Sequence, residues 1–172
     1  MNLNDFKAKC DETMIEKCKC SEYLSLGFIG EVGEICETVK KFIREDFDEE
    51  HLDIRLTSEV GDVLWYHAML MKYVFETDYP EDWNNLIENS RNSVLTTETI
   101  FKLASVTSSI SENIFKTDAK IHLIDKMKVV MTLLAKIADL SLSQDTVITK
   151  LAGRKVANTI SGDGEGIDRG ES

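Results

Sequence analysis

At 172 residues and a net charge of −11, the chain is sized for one domain, and its field repels nucleic-acid phosphates unless cations intervene. Its 42% apolar and 30% charged residues give a globular balance that excludes wholesale disorder. No apolar run approaches the ~18 to 20 residues of a bilayer span, and Met1 to Cys20 is too charged for a signal-peptide core, so a cytoplasmic protein without a membrane role is expected.

One proline and nine glycines favour helices over turn-rich β structure, and apolar residues recur with a period near 3.6 without a convincing alternating strand. The expected fold is all-α. It is an antiparallel bundle of four core helices plus a short C-terminal helix, forming a single domain over residues 1–160. The first helix is predicted from about Leu3 to Cys20, with Cys10 and Cys18 on a stripe with Leu3, Phe6 and Met14, which favours core packing over metal or redox work. The second is predicted from Tyr23 to Arg44, with Leu24, Phe28, Val32, Ile35, Val39 and Phe42 on its apolar face. The acidic stretch Glu45 to Glu50 interrupts the pattern. A third helix carries Leu56, Val60, Val63, His67, Leu70 and Val74 and stops before Asp78-Tyr79-Pro80. Residues 81–94 are ambiguous. Thr96 can cap a helix through Ile100, Leu103, Ile110 and Ile114, and another is predicted from Ala119 to Leu140. A short final helix is expected from Asp145 to Val156, and residues 161–172 read as a flexible Gly-rich acidic tail.

The chemistry lies in an internal echo. Glu31-Val32-Gly33-Glu34 is answered by Glu59-Val60-Gly61-Asp62, and on a helix each i, i+3 acidic pair shares one face. The midpoint of the two motifs falls between residues 46 and 47, inside the acidic interruption. An antiparallel hairpin folded there brings all four acids to one level. Each glycine weakens its helix by about 1 kcal/mol relative to alanine, which suggests close backbone approach at Gly33 and Gly61. Two unit charges ~5 Å apart repel by about 3 kcal/mol at an effective dielectric of 20, so the cluster needs neutralising. Protonation is one answer. A divalent cation is the better one, and all-oxygen donors point to Mg²⁺, with Mn²⁺ as a close substitute. The blander account is two solvated acidic pairs on ordinary polar faces, which the shared Val-Gly and the symmetric placement argue against. A net-acidic protein with such a cation suits a substrate bearing its own negative charge, such as a nucleoside triphosphate, and neither a Walker A nor a G-x-G-x-x-G sequence is present to hold one.

These residues resemble the MazG-like all-α nucleoside triphosphate pyrophosphohydrolases, whose E-x-x-E, spacer, E-x-x-D signature reads here as Glu31-x-x-Glu34 and Glu59-x-x-Asp62. The context is similar too, with Gly27-Phe28-Ile29-Gly30 before the first pair and Val63-Leu64-Trp65-Tyr66 after the second. Lys150-Leu151-x-x-Arg154, then Gly162-Asp163-Gly164 and Arg169, looks like the basic C-terminus of the family's short members. The resemblance implies a helical bundle, a homodimer or homotetramer, and Mg²⁺-dependent hydrolysis of an NTP or dNTP to the monophosphate and pyrophosphate. It makes Glu31, Glu34, Glu59 and Asp62 the metal-binding and catalytic set. Val147 departs from the asparagine that family members often carry three residues before the C-terminal lysine, which puts a base- or sugar-contacting role for the final helix in doubt.

Lys41, seven residues beyond Glu34, and Arg55, one turn before Glu59, are candidates for holding outer phosphates, and Lys150, Arg154 and Arg169 are candidates through the resemblance. Solvated surface charge is the alternative for each. Trp65, Tyr66 and Trp83 could stack on a nucleobase, although aromatics beside an apolar stripe more often fill a core. Asp48-x-x-His51 is a single carboxylate-histidine pair, short of the two Glu-x-x-His pairs of a di-iron bundle. Hydrolysis of a guanosine alarmone or dUTP at the same acids, or a helical interaction module with a structural divalent ion, are the competing functional readings.

Overall fold

The helical period of the sequence becomes, in a computed structural model of the chain, a succession of α-helices with no strand among the described residues. Those residues are 1–89, 95–116 and 120–156. The tail assigned to 161–172, the domain limit at 160 and Arg169 lie outside them. In chain order the helices are α1 (Leu3–Asp11), α2 (Ser21–Ile43), α3 (Glu49–Tyr73), α4 (Asn84–Glu88), α5 (Thr97–Asn113), α6 (Lys120–Ile137) and α7 (Leu140–Val156). Short 3₁₀ turns at Glu16–Cys18 and Glu81–Trp83 fill two of the connections.

Helix ends follow local chemistry. The side chains of Asn2, Asp48 and Thr96 accept from the backbone N–H groups of Asp5, His51 and Thr99, capping α1, α3 and α5. At the end of α2, the N–H of Asp46 bonds to the Lys41 carbonyl at 3.1 Å and that of Glu45 to the Phe42 carbonyl at 2.9 Å, a Schellman closure. Glu45 supplies its left-handed residue at φ 64°. The chain therefore reverses at 44–48, where the acidic interruption placed the turn.

α3 is the central element, with α2, α7, α1 and α6 packed against it, while α5 covers α2 and pairs with α6. The stripes are buried as their spacing predicts: Leu24, Phe28, Val32, Ile35 and Val39 from α2 meet Leu56, Val60, Val63 and Leu70 from α3 in one core. Each such side chain contributes about 2 kcal/mol of burial free energy. Ile100, Leu103, Ile110 and Ile114 of the α5 segment and Val130, Leu133, Leu134 and Ile137 of α6 complete it.

His67, fully buried on α3, ties this core together. The Met127 carbonyl, 3.0 Å away, can only accept, so Nε2 carries the proton and Nδ1 accepts from the Tyr79 hydroxyl at 2.6 Å. Burial depresses its pKa to about 4, so the imidazole is neutral near pH 7.

Two element boundaries differ from the sequence expectation. The first helix ends at Asp11 instead of Cys20, because the Thr13 hydroxyl takes the Cys10 carbonyl at 2.7 Å and Asp11 turns to the Lys72 ammonium at 2.5 Å and the Tyr73 hydroxyl. Cys10 is buried, but Cys18 falls on the 3₁₀ turn, half-buried, and not on a shared stripe. The final helix is long where a short one was expected. It begins at Leu140 because the Asp139 carboxylate accepts from the Leu142 N–H at 3.0 Å, so the pattern read as continuing to Leu140 is divided after Ile137.

Candidate metal centre and its cavity

Five residues of connection hold α2 and α3 as an antiparallel hairpin, and the hairpin register brings Glu31 of α2 against Glu59 and Asp62 of α3. Each of the three offers a carboxylate oxygen, and these oxygens all lie within 4.8 Å of one another. All three side chains are half-buried. Burial, reinforced by the charges of Asp62 and Glu59, pushes the Glu31 carboxyl up to about 7. Burial and Asp62 also raise Glu59.

Glu34 stands apart from this trio. It is exposed on the rim of the hairpin, yet its charge acts on both Glu31 and Glu59. Of the four acids expected at one level, three converge and the fourth, Glu34, is exposed and outside the cluster.

The glycines have different uses. A methyl group on Gly61 would stand 2.7 Å from the Ser143 carbonyl oxygen and 3.2 Å from Val147 Cβ, so the missing side chain admits α7, not α2. Gly33 has open space around it, which corrects the expectation of close approach there. Gly27 serves a third purpose: the Tyr66 ring occupies the place of its side chain, with Cε1 2.1 Å from an added methyl.

α7 delivers the counter-charge. With Ser143 and Val147 seated on Gly61, Lys150 is carried one turn further and its ammonium donates to Asp62 Oδ2. Val147, where the resemblance suggests asparagine, is buried against α3 and lines a cavity next to the acids.

That cavity, of about 400 Å³, is lined by Glu31 and Asp62 and by Lys150 and Arg154. Trp65, Tyr66 and Tyr23 give it aromatic walls; the Trp65 and Tyr66 rings meet edge to face at 4.8 Å. Burial and the Tyr23 hydroxyl push the Tyr66 phenol upward, so it remains protonated. Thr13, Met14, Ile15 and Cys18 close the cavity from the 12–19 segment. That segment is fixed by Asp11 on Lys72 and Tyr73 and by the Trp65 indole N–H, which donates to Thr13 Oγ1 at 3.1 Å.

Of the residues singled out from the sequence for chemistry or binding, Glu31, Asp62, Trp65, Tyr66, Lys150 and Arg154 line this cavity, and Glu59 joins them through the acidic trio. Lys41 lies off the cavity lining, 3.6 Å from Glu37. Arg55 lays its guanidinium over the Phe47 ring at 4.8 Å, although its charge still reaches Glu59. Trp83 is buried in the core beside Tyr79 and His67. From the sequence, Met14 and Cys18 read as core positions of the first helix and Leu151 only as part of the basic C-terminal match, while Thr13, Ile15 and Tyr23 carry no signal for this cavity.

Over 51 residues the chain is 43% identical to the Gene 37 protein of Mycobacterium phage L5, a match covering 28% of this chain and 44% of that protein. The chain thus matches less than half the length of this relative. No family model and no solved structure matches the chain.

Proposed function

We propose that the protein is a Mg²⁺-dependent hydrolase that cleaves a nucleoside or deoxynucleoside triphosphate to the monophosphate and pyrophosphate, as the MazG-like motif implies. The observation that carries this reading is the convergence of Glu31, Glu59 and Asp62 within 4.8 Å beside a cavity with aromatic walls and two cationic side chains. The donor set fits the ion. Three carboxylates are hard oxygen ligands, among the described residues no sulfur or histidine joins them in the cluster, and the upward shift of Glu31, set first by burial and then by the charges of Asp62 and Glu59, is one that a divalent cation would oppose. Glu31, Glu59 and Asp62 would hold Mg²⁺ or Mn²⁺, with Glu34 completing the set from the rim. The chemistry the ion supplies when bound is neutralisation of phosphoryl charge and acidification of water near the α-phosphorus.

The chain's own residues have separable tasks. Lys150 and Arg154 face the cavity as partners for phosphate oxygens. Tyr23, Tyr66 and the Met14-Ile15 wall offer apolar and stacking surface to a base, while Trp65 fixes that wall through Thr13. An acid of the set not committed to the ion accepts the proton of the attacking water.

Exposed Leu26, Ile29 and Phe115 border an apolar groove between α2 and the end of α5, and support a homodimer or homotetramer. No helix among the described residues is long and apolar enough to cross a membrane, which agrees with a reaction in the cytoplasm away from lipid. The acidic field remains a reason to discount nucleic acid as substrate.

The test is incubation with a panel of NTPs and dNTPs, including dUTP, and a guanosine alarmone, plus Mg²⁺. Release of pyrophosphate without orthophosphate from a triphosphate, abolished in Glu59→Gln at unchanged circular dichroism, supports the proposal. Turnover of the alarmone alone selects that competing substrate. Inactivity of folded protein across the panel, with Mg²⁺ still raising the melting temperature, selects a structural ion in an interaction module.

A further inference from the structure

Lys150 occupies an unusual place for a phosphate ligand. Its ammonium is already bound to a carboxylate of the acidic trio, donating to Asp62 Oδ2, and its charge bears on Glu31 and Glu59 as well. The position is set by packing. Ser143 and Val147 are seated on Gly61, the residue next to Asp62, so the backbone at Lys150 cannot withdraw without lifting α7 from α3. The side chain is different: it is 34% exposed and borders the cavity, so its flexible stem can swing while its Cα stays in place.

We propose that Lys150 is a tethered counter-ion that competes with the divalent cation for Asp62 and is handed to the nucleotide phosphates when the cation binds. The inference rests on the acidic trio being the metal site. Its logic is charge arithmetic. With all three acids ionised, the trio and Lys150 together carry −2; a divalent ion at the same carboxylates must displace a cation that holds one of their oxygens or tolerate its repulsion. Once displaced, the ammonium faces the cavity next to Arg154, where triphosphate charge is the available partner. A nucleotide that captures Lys150 removes the competitor, so nucleotide and metal strengthen each other's binding by the same factor. In metal-free protein Lys150 offsets one of the trio's three negative charges.

Calorimetric titration of Mn²⁺ into the full-length protein without nucleotide tests this directly, comparing wild type, Lys150→Met, Lys150→Gln and a charge-matched control, Lys102→Met, whose lysine pairs with Glu98 on α5. The expected result is about tenfold tighter Mn²⁺ binding in both Lys150 variants, typical of a coupling between adjacent sites, and little change in the control. A second titration, with saturating non-hydrolysable triphosphate, should tighten Mn²⁺ binding in wild type and much less in Lys150→Met. Unchanged or weaker Mn²⁺ binding in the Lys150 variants overturns the proposal, as does an equal gain in Lys102→Met, which would reduce the effect to net charge. Absence of saturable Mn²⁺ binding in every protein overturns the metal-site reading itself, a result distinct from either.

Discussion

Gly61 and Ser143 are packed so closely that a methyl group on the glycine would stand 2.7 Å from the serine's carbonyl oxygen, and this one contact sets the height of α7 above the acids. A backbone atom cannot turn aside as a side-chain tip can. Gly61→Ala should therefore push α7 outward, lowering stability by about 1 to 3 kcal/mol in urea unfolding, in line with overpacked cores. Because Lys150 rides on the same helix, turnover should fall further than the lost stability explains. A variant that keeps both its unfolding midpoint and its turnover would show that α7 is not keyed at this point.

Gly33 of the first motif and Gly27 ahead of it should behave in opposite ways. Gly33→Ala meets open space and should stabilise α2 by about 0.5 to 1 kcal/mol through helix propensity alone. Gly27→Ala instead drives a methyl group into the Tyr66 ring, so it should lower the melting temperature and weaken nucleotide binding as the ring leaves the cavity wall. Destabilisation by Gly33→Ala would mean that something outside this chain packs against α2 there.

Glu31 makes the metal-free protein sensitive to alkali. Its folded pKa, about 7, lies above the ordinary 4.5, so its contribution to stability is fully present below pH 4.5 and is lost as the pH rises through 7. Without metal, Glu31→Gln should be more stable than wild type at pH 8, with the gap closing toward pH 5. Addition of Mg²⁺ should raise the melting temperature of wild type more than that of the variant. An equal gap at both pH values would argue against the charge cluster.

His67 acts in the other direction. Its folded pKa of about 4 lies below the ordinary 6.5, so its contribution is fully present above pH 6.5 and disappears as the pH falls through 4. The shift corresponds to about 3 kcal/mol at most. Chemical denaturation of His67→Gln should give lower stability at pH 7 but a flatter slope between pH 6.5 and 4 than wild type. A parallel slope would place the acid sensitivity elsewhere. The His67 contribution is common to wild type and Glu31→Gln, so it cancels from their difference.

Trp65→Phe removes the hydrogen bond to Thr13 while keeping an aromatic ring. With the 12–19 wall released, KM for the nucleotide should rise several-fold and kcat change less, the signature of lost ground-state binding. A fall in kcat at constant KM would instead bring Trp65 into the chemical step.

Much of this architecture is written in local pattern. The α2 and α3 stripes, the turn centred on residue 46 and the pairing of two acidic motifs all follow from period and spacing, because a short connection leaves a helical hairpin few registers. What escaped was set by contacts distant in sequence. The end of α1 depends on Asp11 finding Lys72 and Tyr73, and the wall at Thr13 depends on Trp65. The two motif glycines look identical in sequence, yet only Gly61 is approached by another helix, since α7 comes from more than 80 residues away. The start of α7 was legible in principle, in Asp139 as a cap, but apolar residues on both sides concealed the break.

The dependence of the centre on α7 has a consequence for biosynthesis. During translation the α2–α3 hairpin emerges long before the residues that fill the Gly61 groove and balance Asp62. Until then it exposes an apolar channel beside a concentration of negative charge, a combination prone to off-pathway association. Ribosome-bound intermediates stalled before residue 140 should accordingly be held by chaperones, and release should coincide with α7 leaving the exit tunnel.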